Sequence, residues 1–172
     1  MKNNFNFDKA NSASIESYTK QLIGKTFRDV IEASVIEENA EEYNYGAINK
    51  KNKGKLGQII EENFFGYKIN SDPRADFYEA GVELKFTPYK LNKNGTISAK
   101  ERLILTMIDY FSVINETFEK SHLWEKANLI LLIYYLYEAD KLSNLDYRID
   151  YVKLFTPPEN DVKIIKHDFE VI

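Results

Sequence analysis

Residues 81–87 read Gly81-Val82-Glu83-Leu84-Lys85-Phe86-Thr87, and their alternation decides the fold. Val82, Leu84 and Phe86 fall on one side of an extended chain, and Glu83, Lys85 and Thr87 fall on the other. Such a strand anchors one face in a core and presents a carboxylate and an ammonium two positions apart on the other. Seven residues upstream stands Asp76. Two carboxylates and a lysine are what metal-assisted phosphodiester hydrolysis requires. Hard oxygen ligands suit Mg²⁺, which is held by one or two carboxylates plus substrate phosphate. The ion acidifies a bound water, and an adjacent ammonium stabilises charge on the transition state. Spacing alone does not decide the matter, because an acidic residue two before a lysine also occurs at Asp161-Val162-Lys163, where a helix start explains it. On the residues alone, a nuclease site and an ordinary ion pair across a strand face both remain open.

Working outward, the pattern predicts a mixed protein. Ser12 to Leu22 and Thr26 to Ala33 read as short helices, the second with Thr26 as N-cap and Asp29 three positions on. Leu56, Ile59, Ile60 and Phe64 recur at helical spacing, predicting an amphipathic helix over 55–65. Asn70 to Pro73 reads as a turn. Asn94-Gly95 signals a hairpin, with Arg102 to Tyr110 as its returning strand. Leu129 to Tyr137 reads as a strand buried on both faces, and Asp150 to Phe155 as another. After Pro157-Pro158 a helix carries Val162, Ile165, Phe169 and Ile172 at helical spacing and lacks a stop signal.

Composition removes whole classes of function. There is no cysteine, so disulfides, Cys-ligated zinc and cysteine nucleophiles are excluded, and two histidines cannot build a multi-histidine metal cluster. The nine residues of the longest apolar run fall far short of the roughly 18 that span a bilayer, and no signal peptide opens the chain. A cytoplasmic location with no membrane partner is expected. The net charge of -4 over 172 residues argues superficially against a nucleic-acid partner. Yet residues 50–102 carry 11 basic against 7 acidic side chains. Lys50, Lys51, Lys53 and Lys55 form one basic cluster, and Lys85, Lys90, Lys93, Lys100 and Arg102 form another. The acidic candidates lie between them.

The stretch KGKLGQIIEENFFGYKINSDPRADFYEAGVELKFTP, residues 53–88, resembles the MutH family and its relatives among the GATC-cutting type II restriction endonucleases, within the PD-(D/E)xK superfamily. Lys53-Gly54, Gly57, Glu61, Asp76-Phe77 and Gly81 to Lys85 carry the resemblance. Weaker similarity reaches Gln21 to Gly24 and Phe155 to Pro157. The details lie nearer the restriction-enzyme branch. What the resemblance implies is an α+β, restriction-endonuclease-like fold, with a central mixed β-sheet flanked by helices. It implies catalytic roles for Lys85, Glu61, Asp76 and Glu83, with Asp76, Glu83 and the Leu84 carbonyl as ligands for Mg²⁺. Lys53 would lie near phosphate at the mouth of the site, and Lys90 and Lys93 are candidates for DNA contact. Lys126 lies in the region where relatives carry an additional active-site lysine. Asp72 competes with Asp76 by chemistry, but only Asp76 fits the motif. Glu62 points about 100° away from Glu61 around the helix and is read as solvent-facing. Trp124 is read as packing, and His122 as structural or exposed.

The implied activity is Mg²⁺-dependent cleavage of double-stranded DNA at GATC-type sites to 5′-phosphate and 3′-hydroxyl ends, in a restriction system, as a monomer or as a dimer on DNA. Residues 1–172 are expected to form a single catalytic domain shortened at its C-terminal end, since relatives continue into a segment that supplies much of the DNA recognition. The alternative is a noncatalytic DNA-binding or regulatory domain with the same fold. A decayed copy would be expected to lose acidic residues or the lysine, whereas Glu61, Asp76, Glu83 and Lys85 are all present.

Overall fold

The computed structural model describes residues 7–38, 54–67, 74–141 and 143–172. Helix α1 (Ser12–Thr19) is capped by the Asn11 side chain and runs into a short 3₁₀ turn, Lys20–Leu22. The expected cap of α2 (Phe27–Glu38) is present as a reciprocal pair. The Thr26 hydroxyl accepts from the Asp29 N–H at 3.1 Å, and an Asp29 carboxylate oxygen accepts from the Thr26 N–H at 2.8 Å. Helix α3 (Gly54–Asn63) follows, with Leu56, Ile59 and Ile60 buried as the periodicity requires.

Strand β1 (Glu83–Leu91) turns through the Asn94-Gly95 hairpin into β2 (Ile97–Ala99). Short helices α4 (Tyr110–Val113) and α5 (His122–Ala127) lead to β3 (Ile130–Leu136). Strand β4 (Ile149–Phe155) and helix α6 (Glu159–Glu170) complete the chain. The sheet order is β2-β1-β3-β4, with β1 parallel to β3 and the other pairs antiparallel, a mixed sheet flanked by helices. The α+β architecture is therefore as expected.

The central strand β3 is buried on both faces, from Ile130 through Ile133. Val82 and Leu84 join Leu131 and Ile133 of β3 and Leu56, Ile59 and Ile60 of α3 in the main core. Gly57 lets α3 lie close on β1, because a Cβ there would meet the Phe86 ring at 3.2 Å. A smaller apolar cluster joins Val113, Phe118 and Phe169, with Trp124, Val162 and Ile165 against it. The C-terminal apolar stripe thus finds its seat, though Ile172 lies exposed.

One expectation fails. Arg102 to Tyr110 does not form the returning strand; residues 102–109 have no regular structure, and Ile104 and Met107 are exposed. The reason lies on the partner strand. The β2 ladder stops at Ala99, and the next N–H, from Lys100, donates to the Pro88 carbonyl at 3.0 Å. Pro88 has no N–H to return, so the ladder cannot extend along β1. The Asn70 to Pro73 turn lies outside the described residues. Among the described residues no helix is long and apolar enough to cross a membrane.

Candidate active site

The site begins with a tight return of the chain. Phe77 and Val82 pair across an antiparallel bridge, their N–H groups donating to each other's carbonyls at 2.9 and 3.2 Å. Gly81 permits the turn, with a φ of 64° in the left-handed region. This closure brings Asp76 back beside the start of β1. The Asp76 carboxylate accepts a hydrogen bond from the Leu84 N–H at 2.7 Å.

That N–H is available because of strand parity. Glu83 donates to the Leu129 carbonyl, so the backbone groups of residues 83, 85, 87 and 89 face β3, while those of Leu84 and Phe86 face the opposite edge. With β2 ending before it reaches them, that edge is open. The Leu84 carbonyl points the same way as its N–H, toward the side on which Asp76 lies.

Glu83 is 3% exposed and lies between two cations. The Lys85 ammonium is 2.9 Å from one carboxylate oxygen, and Lys126, from the end of α5, stands 3.2 Å from both. A buried carboxylate requires such partners. Glu61 reaches the same cleft from α3 and, with Asp76 and Lys126, lines a cavity of about 650 Å³. Burial pushes the Glu61 carboxyl up, and the nearby Glu83 and Glu62 charges push it further, against Lys85 and Lys126. Asp76 is raised more, to about 7, by burial and then by the Glu83 charge; the Leu84 hydrogen bond opposes that rise. The centre holds more negative charge than its lysines offset.

The structure therefore gathers Glu61, Asp76, Glu83, Lys85 and the Leu84 backbone. Lys126, which the sequence placed only by region, closes the group by its double contact with Glu83. Glu62 is exposed, as expected. Trp124 packs on Phe118 with the rings tilted and their centroids 4.9 Å apart, and His122 begins α5 with its N–H donating to Glu116. Lys90 and Lys93 are exposed at the hairpin end of β1, seven residues or roughly 23 Å along the strand from Glu83 to Lys90, and are not drawn into the cleft. Lys50, Lys51, Lys53 and Asp72 lie outside the described residues. Sequence reasoning missed Lys9 and Arg74, which also line the cleft. Lys9 lies outside the basic segment 50–102, and nothing in its local sequence links it to residues 74–85.

A family model described as DNA mismatch repair enzyme MutH matches residues 65–168, a range that includes Asp76, Glu83, Lys85 and Lys126. The chain belongs to the MutH family. It is 41% identical over 161 residues to the type II restriction enzyme Sau3AI of Staphylococcus aureus, across 92% of this chain and 32% of that protein. It is also 30% identical over 123 residues to the DNA mismatch repair protein MutH of Shewanella woodyi, across 72% of this chain and 51% of that protein. The chain thus spans about a third of the first relative's length and about half of the second's. The mixed sheet with flanking helices accords with membership of the MutH family. Glu61 lies just outside the matched range and joins the site by its position on α3.

Proposed function

We propose that this chain is the catalytic part of a Mg²⁺-dependent DNA endonuclease, a type II site-specific deoxyribonuclease that hydrolyses phosphodiesters in double-stranded DNA to 5′-phosphate and 3′-hydroxyl ends. One observation carries the reading: a buried Glu83 held between Lys85 and Lys126, with Asp76 bound to the N–H of the intervening Leu84 on an open strand edge. Membership of the MutH family supports it.

The donor set suits a hard divalent cation. Among the described residues no group of three or more His, Cys, Asp or Glu side chains is arranged to hold a metal. Mg²⁺ does not need one, since two carboxylates with waters and a substrate phosphate complete its octahedron. Asp76, Glu83 and the Leu84 carbonyl would hold the ion. Burial and then the Glu83 charge raise the Asp76 carboxyl, and a cation bound there would offset both by favouring the charged form. Bound there, the ion supplies Lewis acidity to the phosphate and an acidified water. Lys85 stands where its ammonium can orient the attacking water and offset charge building on the phosphate oxygens. Lys126 holds the Glu83 carboxylate through both of its oxygens, and Glu61 lines the cleft beside Asp76.

The GATC preference rests on the family resemblance of residues 53–88. Incubating duplexes with and without one GATC in Mg²⁺ tests both levels. Cleavage confined to the GATC duplex, abolished by EDTA and reduced roughly 10²–10³-fold or more by Lys85→Ala and by Asp76→Ala, is expected. Cleavage that persists in EDTA or in both variants would overturn the assignment of the site.

A further inference from the structure

The cleft lined by Glu61 and Asp76 contains a hydrogen-bond donor that the protein itself leaves unused. Other donors on its walls are engaged. The Ala75 N–H donates to Glu125 at 3.4 Å, and the Phe77 N–H to the Val82 carbonyl at 2.9 Å. The Tyr78 hydroxyl donates to Glu79 at 3.1 Å, and the Lys126 ammonium is held by Glu83. Tyr67 also lines the cleft, and its hydroxyl has no hydrogen-bond partner among the described residues. No buried side-chain oxygen among them lacks a partner, so this one is open to solvent rather than sealed in the wall.

The ring that carries it is fixed from several directions. Gly66, in the left-handed region at a φ of 64°, turns the chain out of α3, and the Tyr67 N–H returns to the Glu61 carbonyl at 2.8 Å. The ring stacks on Phe65 with centroids 6.1 Å apart and leans on Phe77 at 5.4 Å. Lys9 approaches its face, the ammonium 4.5 Å from the ring centroid. Phe65 is buried in the main core, and Phe77 follows Asp76 directly. The same ring contacts therefore tie Tyr67 to the core and to the turn that presents the carboxylate.

The neighbours of the hydroxyl are acidic. Burial, and then the Asp76 and Glu79 charges, hold the phenol well above the usual tyrosine range, so it keeps its proton. Neither carboxylate accepts a hydrogen bond from it. Asp76 accepts from the Leu84 N–H, and Glu79 from Tyr78. A phosphodiester is the ligand such a donor fits. Its non-bridging oxygens accept and never donate, so the carboxylates of the cleft offer them nothing but repulsion. A neutral O–H offers a hydrogen bond without adding negative charge, and the bond is stronger for ending on a charged oxygen. The ring is ordered beforehand, so little freedom is lost when the contact forms.

We infer that Tyr67 is a DNA-binding residue whose hydroxyl donates to a backbone phosphate of the strand lying in the cleft beside Asp76. The inference rests on the nuclease reading above and adds to it a contact made to the substrate rather than to the metal ligands.

The test is Tyr67→Phe in the full chain, which keeps the ring and removes only the oxygen. Binding to a GATC duplex in Ca²⁺, a hard cation for the same oxygen ligands, should weaken roughly tenfold or more, with an unchanged melting temperature. Duplexes that each carry one methylphosphonate in place of a backbone phosphate then locate the contact. At one phosphate the loss seen with wild type should shrink about tenfold in the variant, and at the others the two proteins should lose alike. If wild type binds the duplex and cuts it in Mg²⁺, and Tyr67→Phe does both equally well, the inference falls while the nuclease reading stands. A weaker variant that matches the wild-type losses at every phosphate would place the effect in the fold or at the metal's waters, and would also overturn it. A wild-type chain that neither binds nor cuts the duplex would overturn both.

Discussion

Lys126 gives the sharpest test of how the centre is held. Its ammonium is 3.2 Å from both oxygens of Glu83, and the side chains are 15% and 3% exposed. At that distance and an effective dielectric of about 20, the attraction is roughly 5 kcal/mol before the cost of burying the charges. Desolvation removes much of this, and Lys85 still partners Glu83 when Lys126 is lost. Lys126→Met, which keeps the apolar stem, should therefore cost roughly 2–3 kcal/mol. In a Glu83→Gln background the same substitution should cost under about 1 kcal/mol, giving a coupling of roughly 1–2 kcal/mol. Urea unfolding of the four proteins in EDTA measures it. If Asp76 and Glu83 hold Mg²⁺ as proposed, adding it should shrink the cost of Lys126→Met, because the ion would take over neutralisation of Glu83. Equal costs in both backgrounds would refute the reasoning, since Lys126 would then stabilise by packing alone.

Three further outcomes follow from distances and charges already described. Asp76 is held at about 7 against an ordinary 3.8, so the unfolded chain releases this proton first as pH rises. Its contribution is fully present below about pH 4 and is lost by pH 7–8, so Asp76→Asn should match wild type at low pH and exceed its stability by roughly 2–4 kcal/mol at pH 8 without divalent ions. Parallel stability–pH curves would contradict this. At Gly57, alanine adds about 1 kcal/mol of helix propensity but crowds Phe86, for a net change near zero, whereas Gly57→Leu should cost about 1–3 kcal/mol in thermal melts. Tyr89→Phe removes a hydroxyl donating to Asp150 at 2.5 Å between β1 and β4 and should cost about 1–2 kcal/mol, read by the same melts.

Much of the site was legible because its signals are local. Alternation over 81–87 located the strand, the period over 55–65 located α3, and Thr26 with Asp29 announced the cap of α2, whereas the place of Glu61 came from the family resemblance. What stayed hidden depends on contacts between distant segments. Lys126 approaches Glu83 only because β3 is parallel to β1, which sets the end of α5 beside the start of β1. Lys9 reaches the cleft on a segment that Phe7 seats against Tyr18 and Phe77. The strand expected over 102–110 was misread for the same reason. Its β-branched and apolar content is real, but a strand needs a partner with donors to spare, and Pro88 has none to give.

The position of the site follows from that same bookkeeping of backbone groups. A parallel crossover commits the odd-numbered residues of β1 to β3 and leaves the N–H and carbonyl of Leu84 at an edge. An exposed edge invites pairing with another strand. Here Pro88 and the short β2 keep a second strand from running alongside residues 84–86, and the Asp76 carboxylate takes the Leu84 N–H instead. One hydrogen bond thereby satisfies a backbone donor, fixes the first carboxylate and leaves the Leu84 carbonyl turned to the same side. Meanwhile alternation sends the side chains of Val82 and Leu84 into the core and those of Glu83 and Lys85 to the other face, where both Lys85 and Lys126 pair with Glu83. Filling the edge with a longer β2 would cost the molecule its Asp76 contact while leaving Glu83 and Lys85 on their own face. Pairing of β1 and β2 is thus limited where Asp76 meets the strand.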